Sequence, residues 1–346
     1  MANISNIATA NPKYTYTNEQ MLEAGNIWLK DNPEKLDLFH RLTKSAQIHN
    51  RSFALPLEVI LNIEGQEYRA NKFEELALPL CIEAVQKLFT KTKCGPDSID
   101  TLIFCSCTSP LIPSIDAVLI EALELPRTIK RIPIFQQGCA GGMIGLELAA
   151  NLSREGKKIL VVSAELCSLS FHKGDFGGAS ILGAVLFGDG AAAALIEPIT
   201  EGLYFIDNQS FLIPNSREIM GYDILDDGMH LRLESSIPKV ISEVAPELVK
   251  TFLKKNNLYT ADVKHWLFHP GGVKILNALE DGLDLNKSQT HYAWDVLTDH
   301  GNMSSATILF VIEKFIKENN FESGDCICIM GIGPGLTAEL ILLRNN

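Results

Sequence analysis

The 346-residue sequence lacks any apolar run of the ~18 residues that a membrane-spanning helix needs. The nearest approach, Ser180 to Ile196, is broken by Asp189 and several glycines. Its opening, Met-Ala-Asn-Ile-Ser-Asn, lacks the basic stretch and apolar core of a secretory signal, so a cytoplasmic chain without a membrane span is expected. Positive charge is scarce: 30 Lys and Arg stand against 42 Asp and Glu, a net charge of −12. That balance excludes the broad basic face a general nucleic-acid binder uses to neutralise phosphates. With 46% hydrophobic and 21% charged residues, neither disorder nor low complexity describes the chain. The length fits two domains or one large layered unit. Cysteines are present, eight of them, and in a cytosolic chain they read as free thiols rather than a disulfide framework. Two pairs, Cys105/Cys107 and Cys326/Cys328, have a spacing that a four-thiolate zinc site would accept. Both pairs lie in apolar strand-like runs, where residues i and i+2 share a face, so buried thiols are expected and no metal.

Up to Gly95 the chain reads mainly as helix: Thr17 to Asp31, with Thr17 or Asn18 as N-cap and Glu19 behind it, then Lys72 to Lys91, ending before Gly95-Pro96. Beyond it the pattern changes. Thr101 to Cys107 and Lys158 to Ser163 are compact apolar runs that read as buried strands, with helices around Ser114 to Leu125 and Gly141 to Leu152 between them. Strands alternating with helices predict an α/β architecture. The second half repeats this order. Leu102 to Cys105 corresponds to Trp266 to His269, Ile132 to Gly138 with Cys139 corresponds to Ala293 to Gly301 with Asn302, and Ile159 to Ser163 corresponds to Cys326 to Met330. The separation between partners is nearly constant, which predicts a duplicated α/β unit with halves 1–200 and 201–346. Cys139 and Asn302 then occupy equivalent turns, read as strand, glycine turn and helix in each half, and a site shared between the halves follows.

Three residues are candidates for chemistry. Cys139 lies in Phe135-Gln-Gln-Gly-Cys-Ala-Gly-Gly-Met-Ile-Gly145, at the start of a helix whose positive end favours thiolate, with small neighbours that leave room for a thioester. The alternative is a small residue required for strand–helix packing. His269, between Trp266-Leu-Phe and Pro270-Gly-Gly272, stands at a strand end where it can face a cleft and pair with Cys139. The alternative is a satisfied core histidine, and His300 is a rival because it is close to Asn302. Asn302, in Asp299-His-Gly-Asn-Met-Ser-Ser-Ala-Thr307, is suited either to cap a helix or to donate its amide to a developing oxyanion. The glycine loop Gly331-Ile-Gly-Pro-Gly-Leu-Thr337 is not a dinucleotide fingerprint, because its spacing is wrong and it contains Pro334; it is expected to line a cavity floor.

Several segments together resemble one family. Gln137-Gly-Cys-Ala-Gly-Gly, His269-Pro-Gly-Gly, Gly301-Asn-Met-Ser-Ser, Gly331-Ile-Gly-Pro-Gly-Leu-Thr, Leu186-Phe-Gly-Asp-Gly-Ala-Ala and Ser163-Ala-Glu-Leu-Cys are similar to the type III polyketide synthases, the chalcone synthase-like enzymes. The resemblance runs in order from about Ile48 to Leu343. It implies a thiolase fold, duplicated α/β halves forming a layered α-β-α-β-α core, in a homodimer. It implies that Cys139 accepts the acyl group from an acyl-CoA starter. His269 and Asn302 would bind the thioester carbonyl and support decarboxylation of malonyl-CoA, with no metal or other cofactor. Phe187 matches an aromatic gate; the second gate position falls near Leu231, a less aromatic side chain. Cys167, Ser170, Thr108, Gly183 and Ile332 fall at gate or cavity positions, and Arg41, Lys44 and Lys274 at the CoA-binding mouth.

Arg41 to Arg51 holds three cations and no acid, which would give CoA a local basic entrance within an acidic surface. The segment Ser163 to Ser170 is nearest the bacterial alkylpyrone and alkylresorcinol synthases. Its small residues suggest room for a fatty acyl starter, with iterated condensation and closure to a pyrone or resorcinol-type product. The alternatives are a short- or aromatic-starter enzyme, a ketoacyl synthase III-like enzyme performing one condensation with a carrier protein, and a non-catalytic acyl-binding protein.

Overall fold

The structure is a computed structural model, and it describes residues 2–198, 202–318 and 321–345. The expected boundary between halves, at 200/201, falls outside the described residues. The first half runs β1 (Asn3–Ala10), β2 (Tyr14–Thr17), α1 (Asn18–Trp28), α2 (Pro33–Ser45), β3 (Asn50–Phe53), α3 (Leu57–Ile60), α4 (Gln66–Thr92), β4 (Thr101–Cys105), α5 (Asp116–Ala122), β5 (Lys130–Ile134), α6 (Gly141–Ser153), β6 (Ile159–Leu166), α7 (Gly178–Leu186) and β7 (Asp189–Glu197). The second runs β8 (Leu203–Leu212), β9 (Met220–Leu225), β10 (Gly228–Leu233), α8 (Ile237–Lys255), β11 (Val263–Phe268), α9 (Val273–Leu283), α10 (Lys287–His300), α11 (Thr307–Glu318), β12 (Cys326–Gly333) and β13 (Thr337–Asn345).

Nine strands pair in the order β11-β12-β13-β8-β1-β7-β6-β4-β5. The order is symmetric about its middle. β4 and β6 are parallel, as are β11 and β12, and each pair continues antiparallel through β7 to β1 or through β13 to β8. Among the described residues β1 and β8 pair at Asn3 with Tyr204 and Ile4 with Leu203, so the two half-sheets join at one corner. Alternation along the strands distributes side chains to three cores. Leu102 and Phe104 of β4 face α4; Ile103 and Cys105 face a middle layer of α6 and α11, which Ile327 and Ile329 of β12 meet from the other side. Cys328 and Met330 face α8 and α9. The layers are therefore α-β-α-β-α, as expected.

The Thr17 cap is as read: its hydroxyl accepts from the Gln20 N–H, and the Gln20 side chain accepts from the Thr17 N–H. The region up to Gly95 is mainly helical, as read, in α1, α2 and α4, but it also supplies β1, a central strand the sequence reading did not place; Asn3-Ile-Ser-Asn-Ile-Ala-Thr-Ala has weak alternation and owes its place to pairing on β7. One expectation fails. Ala293 to Gly301 is not a strand but the end of α10, with Ala293, Trp294, Val296 and Leu297 buried at helical spacing. The second half thus has no counterpart of β5. All eight cysteines are free, and the two Cys-x-Cys pairs lie on opposite half-sheets, β4 with its following loop and β12, so they form no common metal site.

Candidate active site

Cys139 sits on the short turn Gly138–Ala140 that joins β5 to α6. Gly138 has φ +49°, and a Cβ there would stand 2.7 Å from the Pro334 ring, so only glycine fits. Gly142 on α6 faces the start of α11, where a Cβ would come within 2.2 Å of the Ser305 carbonyl oxygen. The small residues expected to make room for substrate therefore make room for protein: they seat α6 against α11 and bring the Cys139 turn beside the Asn302 turn. The loop Gly331 to Thr337 does the same work. Gly333 abuts Ala140 and Pro334 abuts Gly138, so the loop buttresses the Cys139 turn rather than flooring a cavity.

Asn302 follows α10 and Gly301. Its N–H donates to Leu186 O at 2.9 Å, and its carbonyl accepts from the Gly188 N–H at 3.0 Å, locking it to the strand entry that carries Phe187. Its side-chain Oδ1 accepts from the Ser304 N–H at 2.8 Å and from Thr307 Oγ1 at 3.4 Å. The capping reading of Asn302 holds through its oxygen, and its side chain also reaches the Cys139 thiol. Asn302 and Ser304 both reach the Cys139 thiol and favour its ionised form. Burial outweighs them and pushes the thiol up to about 11, so the helix start does not by itself make a thiolate. Cys139 Sγ lies 3.6 Å from Ser304 Oγ. Ser304 holds a left-handed φ of 49°, uncommon for a residue other than glycine.

His269 follows the last residue of β11, with its N–H donating to Met330 O at 2.8 Å as if the parallel ladder continued. The ring is buried, and neither nitrogen has a hydrogen-bond partner. Burial drops its pKa to about 4, so it is a neutral imidazole at pH 7. Gly331 separates His269 from Met143 of α6, close enough that a Cβ on it would meet both. A satisfied core histidine is therefore not what the fold holds here. The rival, His300, packs its ring against Phe310 with centroids 5.1 Å apart.

Phe187, Gly183 and Leu231 meet as expected: a Cβ on Gly183 would lie 2.8 Å from Leu231 and 3.4 Å from the Phe187 ring. With Cys167 and Ser170 they line one largely apolar cavity, which continues past Tyr222 to Met21, Trp28, Phe39 and Leu57. Thr108 is not part of that lining; its hydroxyl donates to Glu165 and accepts from the Leu166 N–H. Ile332 is likewise absent from it, buried in β12 and packed in the outer core.

The basic entrance also differs. Arg41 and Lys44 are exposed on α2, with Arg41 paired to Asp37 at 3.0 Å, and Lys274 is exposed on the first turn of α9. Arg51 is not at any surface. It is buried, donates to the carbonyls of Ala184 at 2.6 Å and Phe187 at 3.4 Å, and so ties down the C-terminal end of α7.

Four residues near the site escaped sequence reading: Ser304, Cys107, Glu165 and Tyr222. Glu165 ends β6 and is fully buried; burial raises its pKa while donors from Ser305, Thr108 and Cys107 draw it back. Tyr222 on β9 reaches Ser170 Oγ at 3.5 Å. Among the described residues one group offers metal-ligand atoms, His172, Asp227 and His230. The two rings stack at 3.9 Å and 21°, and Arg69 Nη2 lies 3.4 Å from His172 Nδ1. The guanidinium would oppose a cation there, and the hydrogen bonds of His230 to Asp227 and Asp175 and of His172 to Met229 O make the group a clasp on the tip of the β9–β10 hairpin.

Comparison with known proteins agrees with this architecture. Residues 2–198 match the N-terminal domain of the chalcone and stilbene synthases, and residues 205–346 match the C-terminal domain. The chain is 32% identical to a putative chalcone synthase of Bacillus subtilis (strain 168), with 99% of this chain and 98% of that protein covered. It is 30% identical to a 1,3,6,8-tetrahydroxynaphthalene synthase of Streptomyces coelicolor, covering 99% and 92%. The crystal structure of the Streptomyces coelicolor A3(2) 1,3,6,8-tetrahydroxynaphthalene synthase, described as a bacterial type III polyketide synthase, superimposes with a TM-score of 0.95 at 29% identity over 99% of each chain.

Proposed function

The chain belongs to the chalcone and stilbene synthase family, the type III polyketide synthases, and from that premise we propose that Cys139, His269 and Asn302 carry a decarboxylative Claisen condensation of malonyl-CoA. The observation that carries the assignment is the buried His269 ring with two unpartnered nitrogens, because an unpaired buried polar group is costly unless a ligand completes it. Cys139 takes the acyl group from an acyl-CoA starter as a thioester and releases CoA. Malonyl-CoA then places its thioester oxygen between the His269 ring N–H and the Asn302 amide. Loss of carbon dioxide leaves its bonding pair on the α-carbon, and the two donors hold the enolate oxygen. The α-carbon attacks the Cys139 thioester, the new C–C bond forms, and Cys139 leaves as thiolate. A neutral imidazole suits this role, because it donates a hydrogen bond without giving up its proton. The chemistry calls on no metal and no cofactor besides the CoA substrates, whose phosphates fall to Lys44 and Lys274 at the surface.

The starter proposed is a fatty acyl group, with closure to a pyrone or resorcinol-type product. Its support is the apolar lining that continues from the gate trio to α1, α2 and α3. A short starter is the second reading, favoured by Tyr222, whose hydroxyl reaches Ser170 within that same cavity. The acting form is proposed to be a homodimer, since β5 is an unpaired sheet edge. Incubation with malonyl-CoA and a panel of starter CoAs, read by mass spectrometry, tests the starter and the product, and the solution molecular mass tests the dimer. Extended products from fatty acyl-CoA are expected without carrier protein. Turnover of short or aromatic starters only would sink the fatty acyl reading. A single extension that requires carrier protein would favour the ketoacyl synthase III-like alternative.

A further inference from the structure

The β9–β10 hairpin stands apart from the rest of the fold. Its strands form a sheet of their own and pair with no strand of the nine-stranded sheet. A two-stranded hairpin is marginal by itself in water, so its place depends on what it leans on. The end of β9 and the turn, Asp223 to Asp227, are exposed. Nearer the root, Tyr222 and Leu231 are directly opposite partners in the ladder, and such partners share a face. Both line the cavity. The Tyr222 hydroxyl reaches Ser170, and Leu231 packs where Gly183 has no side chain, beside the Phe187 ring.

The tip is held to the body by His172 and Asp175, in the loop between β6 and α7. His172 Nε2 donates to Met229 O at 3.1 Å, His230 Nδ1 lies 3.4 Å from Asp175 Oδ2, and the two rings stack at 3.9 Å. Gly228, at φ +138°, lets the turn close on them: a Cβ there would stand 2.9 Å from Gln66 Oε1 and 3.2 Å from the His172 ring. The loop is fixed in turn. Arg69 of α4 donates to the carbonyls of Leu169 and Phe171, and Trp28 of α1 donates its Nε1–H to Lys173 O at 2.8 Å. His172 and Asp175 line the same cavity as Tyr222 and Leu231, so the clasp and the pair it holds share one wall.

We propose that this clasp limits the size of the starter: by tying the hairpin tip to the loop after β6, His230 and His172 hold the Tyr222–Leu231 pair into the cavity. Clasped, the pair stands against Ser170 and Gly183 and narrows the passage beside Phe187. Released, the exposed tip is free to swing outward, the pair draws back with it, and the cavity admits a longer acyl chain. His230 does not line the cavity. It acts through Tyr222 and Leu231 and is a positioning residue. The nearest donor and acceptor groups to the clasp are Arg69, Gln66, Asp175 and Asp227, and a substitution at His230 leaves all four in place.

The inference rests on the proposed function, and its test has one arm that needs no substrate. Hydrogen exchange of the peptides that carry Tyr222 and Leu231 is followed by mass spectrometry. His230→Ala should speed it about tenfold, the scale of one lost hydrogen bond to a charged group. In the second arm the enzyme is given hexanoyl-CoA and palmitoyl-CoA together, and the acyl-enzyme is weighed. His230→Ala should raise the ratio of palmitoyl to hexanoyl loading about tenfold, the scale on which a hydrophobic pocket discriminates by size, with hexanoyl loading unchanged. His230→Asn keeps an N–H near the place of Nδ1 and should restore both readings. Added to the Tyr222→Ala/Leu231→Ala variant, His230→Ala should change the ratio no further, because it acts through that pair. Wild-type exchange in His230→Ala, faster exchange with an unchanged ratio, no rescue by His230→Asn in a folded protein, or a further rise in the triple variant would each overturn the clasp. Should the wild type load neither starter, the proposed function falls, and the exchange arm alone judges whether the clasp holds the hairpin.

Discussion

The two halves share a strand plan and differ in what stands at its ends. β4, β6, β7 and β1 pair in the same order and sense as β11, β12, β13 and β8. β4 runs out into Ser106 and Cys107, whereas β11 runs out into His269. α6 begins after Cys139 and α11 after Asn302. β5 leads into the first turn, but α10 leads into the second. At equivalent positions one half carries thiols and the other nitrogen donors. Duplication supplies two helix starts that meet at Gly142 and Ser305, and divergence gives one Cys139 and the other Asn302, the residues to which the proposed function assigns nucleophile and oxyanion donor. Burial acts oppositely on the two: it pushes the Cys139 thiol up to about 11 and His269 down to about 4, so both are neutral at rest.

The division of labour is broken most severely at the nucleophile. Cys139→Ala should lower polyketide formation by about 10⁴-fold, on the scale of losing a nucleophile elsewhere, yet still release carbon dioxide from malonyl-CoA. Asn302→Ala, in the other half, should lose about 10²-fold to 10³-fold in that release, the usual loss for one oxyanion donor. Equal loss of both partial reactions in both variants would erase the distinction between the halves.

Acid should expose the buried imidazole next. The folded-state value of His269 lies below the unfolded value near 6.5, so the unfolded chain takes up the proton first. Its contribution is intact above about pH 6.5 and is lost as pH falls toward 4, by about 3 kcal/mol at most. Denaturant titrations at pH 7 and pH 4 should show His269→Gln losing less stability than wild type; parallel losses would place a charged or solvated ring there.

Gly142→Ala tests the contact between the halves. The added Cβ must displace the Ser305 backbone, so a loss of about 2 kcal/mol is expected in thermal or denaturant unfolding. An unchanged midpoint would mean that the two helix starts are not tightly seated. The smallest effect belongs to the exposed cations. Lys44→Glu and Lys274→Glu should raise KM for CoA substrates about threefold at low salt with no change in unfolding, in keeping with exposed charge pairs. Unchanged KM in both would move the entrance elsewhere.

The duplication was legible, and Cys139, His269 and Asn302 could be singled out as candidates, because each rests on short local patterns: apolar strand, glycine turn, helix. The strand expected at Ala293 to Gly301 was misread because a buried helix end and a buried strand are both short apolar runs, and only the spacing of Ala293, Trp294, Val296 and Leu297 separates them. β1 was missed because its burial comes from long-range pairing with β7. Arg51 looked like part of a basic mouth because sequence proximity to Arg41 and Lys44 says nothing of direction; the fold turns it inward to the Phe187 carbonyl. Thr108 and Ile332 had the right neighbourhood and the wrong facing. Ser304, Cys107 and Glu165 come from distant parts of the chain, and no local pattern joins them.

The most direct test of a shared site is to find where the acyl group goes. The His269→Gln variant, which the proposed function expects to be impaired in decarboxylation, is incubated with a starter CoA, digested, and its peptides read by mass spectrometry. The acyl mass should appear on the peptide that contains Cys139 and on no other. An adduct on a different cysteine, or none while the wild type turns over, would contradict the assignment.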